Sequence, residues 1–118
     1  MHMNHAYSMA VEKMLDLELP ERVEYIRVIV AELQRIASHL LALGVYGMDM
    51  GAFTPMLYML KERERILDLF ELTCGARLLY NYMWVGGLSH DLPKGFVEMT
   101  YQFLDQLFFL KKETIFQS

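Results

Sequence analysis

Apolar residues along this chain recur at steps of three and four, the period of amphipathic helices, and the pattern predicts four helices and no strand. The first runs from about Asn4 to Leu17. Ala6, Met9, Ala10, Lys13, Met14 and Leu17 share a face there, and all but Lys13 are apolar. Leu19-Pro20 separates it from the second, because proline suits a first helical position. The second and longest helix spans Pro20 to Gly44 or slightly beyond. Its stripe is Val23, Ile26, Ile29, Val30, Leu33, Ile36, Ala37, Leu40 and Leu41, with Glu24, Arg27, Gln34, Arg35 and Ser38 on the other side. Glu21 and Glu24 suit the positive end of the helix dipole.

Glycines 44, 47 and 51 then crowd one short stretch. Each weakens a helix by roughly 1 kcal/mol relative to alanine. Either the chain breaks there or another surface approaches very closely. Thr54-Pro55 reads as N-cap and N1 of a third helix. That helix ends near Thr73 or Cys74, with Gly75 as the residue after it. Residues 76–95 form a long connection rich in aromatics, and such connections tend to be functional and to pack on something. A fourth helix follows from about Lys94 to Phe116, with a stripe of Phe96, Met99, Phe103, Leu107 and Leu110 broadened by Phe108, Phe109 and Phe116. The chain stops at Ser118 with no helix stop signal, which leads us to expect an internal segment of a larger subunit.

Composition adds a partner-seeking surface to this all-α picture. Apolar residues make up 54% of the 118 residues, against a usual share of about 45–50%. That excess belongs either to an unusually rich core or to surface set against partners; we expect the second, including self-association with further copies of the chain by helix exchange. A net charge of −4 with mixed signs excludes a basic nucleic-acid face and a polybasic membrane segment. Cys74 is the only cysteine. It allows no internal disulfide and no cysteine-ligated cluster, suits a reducing cytoplasm, and reads as a small buried hydrophobe at a helix end. The N-terminus has no basic start followed by an apolar run, so it is no signal peptide. No uncharged apolar run reaches the ~20 residues of a membrane span. The nearest, Ala37 to Phe53, contains His39, Asp49 and three glycines.

Read residue by residue, the chain holds no phosphate loop and no HExxH, CxxC or GxSxG motif. His39 and His90 stand far apart without metal-ligand spacing, and no metal site is expected. Glu32, Arg35 and His39 share one side of the second helix, as a buried polar network or a solvated flank. Glu62 and Arg65 are spaced to pair along the third helix, to reach a partner chain, or to lie in solvent.

Four blocks carry a sharper signal: Ala6-Tyr-Ser-Met-Ala-Val-Glu-Lys-Met-Leu15; Glu32-Leu-Gln-Arg-Ile-Ala-Ser-His-Leu40; Met48-Asp-Met-Gly-Ala-Phe-Thr-Pro55 with Lys61-Glu-Arg-Glu-Arg-Ile-Leu-Asp68; and Gly86-Gly-Leu-Ser-His-Asp-Leu-Pro93. Their order and spacing resemble the 49-kDa-type (D-type) quinone-site subunit of respiratory complex I, over nearly the whole chain. The same helical bundle occurs in the large subunit of nickel–iron hydrogenases, and the Thr54-Pro55 block favours the complex I branch.

The resemblance implies a fragment of the quinone-reducing subunit of a proton-pumping NADH–quinone oxidoreductase, inactive alone. It would sit peripherally on the cytoplasmic side of the bacterial inner membrane, with electrons arriving through iron–sulfur clusters in partner subunits. The donor is NADH or ferredoxin. Quinone is the only ligand implied at this segment, in a cavity shared with the neighbour that holds the last cluster. The family tyrosine that hydrogen-bonds the quinone is Tyr7 here; a phenol can donate to a quinone carbonyl and lay an apolar ring on the headgroup. Asp49 matches the aspartate that pairs with a quinone-site histidine from upstream, and would serve proton delivery. Two positions depart from the pattern. Trp84 stands where many members have arginine, and Ser89 where some have a cluster-associated histidine. The cluster-coupled role is therefore placed on His90, one residue later, and not on Ser89. The competing readings are an assembly segment with no site role and the large subunit of a membrane-bound nickel–iron hydrogenase.

Overall fold

The computed structural model describes the backbone of residues 1–116 and the side-chain surroundings of residues 1–108. Four helices carry the chain: α1 (His2–Leu15), α2 (Glu21–Asp49), α3 (Thr54–Cys74) and α4 (Phe96–Phe116). The connection before α4 folds into a small antiparallel hairpin of β1 (Met83–Trp84) and β2 (Gly87–Leu88). The architecture is mostly helical, as the periodicity predicts, and the hairpin is the element that periodicity did not foresee. Two residues per strand are too few to display alternation. Phe109, Leu110 and Phe116, assigned to the α4 stripe from sequence, lie outside the described side chains, and the chain end at Ser118 lies outside the described residues.

The core is an antiparallel α2–α3 pair. Val30, Leu33, Ala37 and Leu40 bury one face of α2 against Ile66, Leu67, Leu69 and Phe70 of α3. Complete burial stabilises each large apolar side chain by about 1.5–3 kcal/mol. Phe70 also meets Tyr80 edge to face, with ring centroids 4.9 Å apart. Phe96 and Phe103 close the core from α4. Ile29 and Leu41, included in the predicted α2 stripe, lie on its exposed margin. By length and composition alone α2 would fit a membrane span, but its most apolar face is packed on α3.

The glycine stretch does not break α2, which runs helically through Gly44 and Gly47 to Asp49. α3 passes close to α2 at Gly44, leaving room for a methyl group and nothing larger. A Cβ there would stand 3.4 Å from the Met56 Cα and the Met59 Cβ of α3. α3 then begins at Thr54, with Phe53 as its N-cap and no side-chain capping bond, so the predicted Thr54 cap is displaced by one residue. Its end is as expected. Gly75 adopts φ 77°, and its N–H donates to the Glu71 carbonyl at 2.9 Å. Just beyond, Arg77 pairs with Glu64, Asp68 and Glu71 and folds the departing chain back along α3.

The apolar face of α1 points away from the core of this chain. Ala6, Met9, Ala10, Met14 and Leu17 are exposed, Met14 at 86%. The inward side carries Ser8 and Glu12, with half-buried His5 and Val11 beside them. This orientation positions the candidate site.

Candidate functional site

Asn4, Ser8 and Glu12 follow one another at four-residue steps, which stacks them on one face of α1. Each grips the 80–87 segment. The Asn4 amide donates to the Tyr80 carbonyl at 2.8 Å, and the Ser8 hydroxyl to the Met83 carbonyl at 3.0 Å. Glu12 accepts the Gly86 N–H at 2.9 Å and also pairs with Arg27 of α2. The pair is bidentate, Nη1 to Oε2 at 2.9 Å and Nη2 to Oε1 at 2.6 Å, with both side chains buried. Arg27 Nη2 also reaches the carbonyls of Trp84 at 2.8 Å and Gly87 at 3.0 Å, its two hydrogens shared among three acceptors. Two helices and the hairpin tip therefore meet at one ion pair.

The electrostatics follow from this geometry. The Arg27 guanidinium hydrogen-bonded to Glu12 holds that carboxyl below the usual range, overcoming the opposite push of burial. His5 is pushed below the usual imidazole value, first by desolvation and then by the nearby Arg27 charge. Sequence reasoning placed Arg27 on the solvent side of α2, and that was incorrect. Arg27 lies four residues after Val23 and three before Val30, inside the stripe. A charged side chain inside an apolar stripe was the available signal. Its partner was hidden because Glu12 pairs from another helix.

A recess of about 440 Å³ opens between α1 and the connection, lined by Asn4, Tyr7 and Ser8 on one side and Asn81, Trp84 and Val85 on the other. That volume falls within the ~300–1,000 Å³ common for small-molecule sites. Tyr7 is 69% exposed, so the recess supplies only one wall of a closed cavity. Trp84 is oriented by its indole N–H, which donates to the Asn81 carbonyl at 3.1 Å. The sharp turn at the tip uses Gly86 at φ 88°, a conformation a Cβ disfavours. A second groove of about 650 Å³ runs between α1 and α2, past His5, Met9, Lys13 and both members of the ion pair.

The remaining sequence-predicted residues lie apart. Asp49 is exposed at the last position of α2. It stands about 33 Å along the helix axis from Arg27, so Tyr7 and Asp49 do not share one recess within this chain. His90 is exposed beside Ser89, its Nδ1 3.0 Å from the Ser89 hydroxyl. Glu32 and Arg35 are about half exposed and 3.5 Å apart, and His39 is exposed, so this trio is a solvated flank. Glu62 is buried with one carboxylate oxygen lacking a partner, and no Glu62–Arg65 pair forms among the described residues. Cys74 is half buried beside the Thr73 hydroxyl, and burial pushes its thiol up. Among the described residues no three His, Cys, Asp or Glu side chains converge on a metal-sized site.

The chain is similar to known proteins over most of its length. Residues 49–114 match the family model described as the respiratory-chain NADH dehydrogenase 49 kDa subunit, more than half of the chain. Over 104 residues the chain is 59% identical to the D-type NADH-quinone oxidoreductase subunit of Pelodictyon phaeoclathratiforme, covering 88% of this chain and 26% of that protein. It is 60% identical over 100 residues to the corresponding NADH-quinone oxidoreductase subunit of Chlorobium phaeovibrioides, covering 85% and 25%. A D-type NADH-quinone oxidoreductase subunit of Cytophaga hutchinsonii is 57% identical over 109 residues, covering 91% and 28%. The chain thus spans about a quarter of the length of the curated relatives it matches.

Proposed function

Because the chain belongs to the family of the respiratory-chain NADH dehydrogenase 49 kDa subunit, we propose that it forms part of the quinone-reducing subunit of a proton-pumping NADH–quinone oxidoreductase. In this reading the recess between α1 and the hairpin is one wall of the quinone cavity. The observation that carries it is that Tyr7 lines that recess together with Trp84 and Val85.

The residues suit a quinone headgroup. The Tyr7 phenol donates a hydrogen bond to a quinone carbonyl, favouring the added electron density as the ring is reduced. Trp84 and Val85 supply apolar surface opposite. The amides of Asn4 and Asn81 are further polar groups at the rim. Reduction to the quinol takes two electrons and two protons. The electrons come from iron–sulfur clusters in partner subunits, the nearest in the neighbour that completes the cavity. Asp49, exposed at the end of α2, is available to a histidine from another part of the subunit and serves proton delivery there. His90, on the same connection as Trp84, is the residue proposed to respond to the last cluster. The exposed apolar face of α1 fits coverage by the rest of the assembly, on the cytoplasmic side of the bacterial inner membrane.

The test is Tyr7→Phe in the assembled enzyme, read as steady-state quinone reduction. Loss of one hydrogen bond of about 1 kcal/mol predicts a roughly fivefold fall in kcat/KM. Unchanged kinetics would remove Tyr7 from the site and leave the segment an assembly role.

A further inference from the structure

The hairpin tip is held to the helices through its backbone. The Trp84 carbonyl, the Gly86 N–H and the Gly87 carbonyl all end on the Glu12–Arg27 pair. Tyr7 lies on the same helix as Glu12, five residues earlier, an axial rise of about 7.5 Å. The two sides of the recess, phenol on one and indole on the other, are therefore referenced to a single buried ion pair. We propose that Glu12 and Arg27 are positioning residues that set the width of the recess, holding the Trp84–Val85 side at a fixed distance from the Tyr7 phenol. The proposal rests on the reading of that recess as the quinone wall.

Three features make the pair a latch and not merely buried charge. First, the guanidinium divides its donors between the carboxylate and two hairpin carbonyls, so the same group that binds Glu12 also grips the tip. Second, Glu12 completes the ring by accepting from Gly86, the residue at the turn. Third, both side chains are buried, which removes the competition from water that would loosen an exposed pair. Neither Glu12 nor Arg27 lines the recess, so neither is expected to touch the quinone. Arginine is specific here because a lysine point charge cannot reproduce the planar fork.

The experiment compares Arg27→Lys, Tyr7→Phe and the double variant in the assembled oxidoreductase, using a short-chain benzoquinone. Ferricyanide reduction by NADH reports electron entry independently of quinone. Arg27→Lys is expected to raise the quinone KM roughly tenfold, with ferricyanide reduction unchanged. The double variant is expected to fall short of the product of the two single effects, because a mispositioned phenol has less to lose. An unchanged KM in Arg27→Lys, alongside an effect of Tyr7→Phe, overturns the latch and leaves the site reading standing. If Tyr7→Phe has no effect, the site reading falls instead. The latch is then judged on the 118-residue chain itself. There the Gly86 amide resonance is expected to titrate with the Glu12 carboxyl and to lose that titration in Glu12→Gln. A Gly86 amide indifferent to both overturns the latch. Should Arg27→Lys fail to assemble, Glu12→Gln serves in its place. It keeps the shape and an acceptor oxygen, and a threefold rise in KM is expected on the same grounds; no rise overturns the proposal.

Discussion

Replacing Arg27 by methionine isolates the energetic weight of the point where α1, α2 and the hairpin meet. The guanidinium is 2% exposed and donates to Glu12, Trp84 and Gly87. Methionine fills much of the same space and donates nothing. Glu12 would keep only the Gly86 N–H, and two part-buried carbonyls would lose a donor. Breaking a buried pair by removing one partner costs about 3–5 kcal/mol, because the surviving charge stays desolvated. A chain of this length has on the order of 6–18 kcal/mol of total stability, so the loss is a large fraction. Adding Glu12→Leu removes the stranded charge and should recover about 2 kcal/mol, with the orphaned carbonyls limiting the recovery. The assay is urea unfolding of the 118-residue chain, followed by circular dichroism and by fluorescence of its one tryptophan, Trp84. The pH dependence has a definite sign. The folded-state pKa of Glu12 is depressed, so its contribution is present above the ordinary carboxylate range and is lost as pH falls through the folded value. The difference between wild type and Glu12→Gln should shrink in acid accordingly. A cost below about 1 kcal/mol for Arg27→Met, or strict additivity with Glu12→Leu, would refute the reasoning.

Two further outcomes test the core. Gly44→Ala places a Cβ at ordinary contact distance from α3, so the helix-propensity gain should dominate and stabilise the chain by up to about 1 kcal/mol, while Gly44→Leu should destabilise it by about 1–3 kcal/mol, both measured by thermal unfolding. Tyr82 is fully buried with an unpartnered hydroxyl, and burial pushes its pKa up to about 12. Ultraviolet titration should show a tyrosine phase near pH 12, and Tyr82→Phe should abolish that phase and raise stability by about 1 kcal/mol; a loss instead would mean that the hydroxyl has a partner.

How much of this was legible in the sequence depends on how local each determinant is. The buried face of α2 was readable because Val30, Leu33, Ala37 and Leu40 repeat at the helical period, and burial of such a stripe follows from hydrophobicity alone. Gly75 as a helix terminator was readable because the left-handed conformation there is a property of one residue. The family blocks were readable for the same reason, since a motif is a string.

What the sequence could not decide was which groups meet across elements. The apolar stripe of α1 did not say which side of the helix faces this chain, and the structure turns Ser8 and Glu12 inward and leaves Met9 and Met14 exposed. Polar contacts to the 80–87 segment and to Arg27 hold that orientation, and no single-helix pattern contains those partners. Arg27 was misplaced for the same reason: a charge in an apolar stripe is tolerable only with a counter-charge, and Glu12 arrives from another helix. The sequence by itself determined a helical chain of this family and offered Tyr7 as a candidate. Only the tertiary structure joined Tyr7 to Trp84 across a recess and separated both from Asp49, because those relations are distances between elements and not periods along one of them.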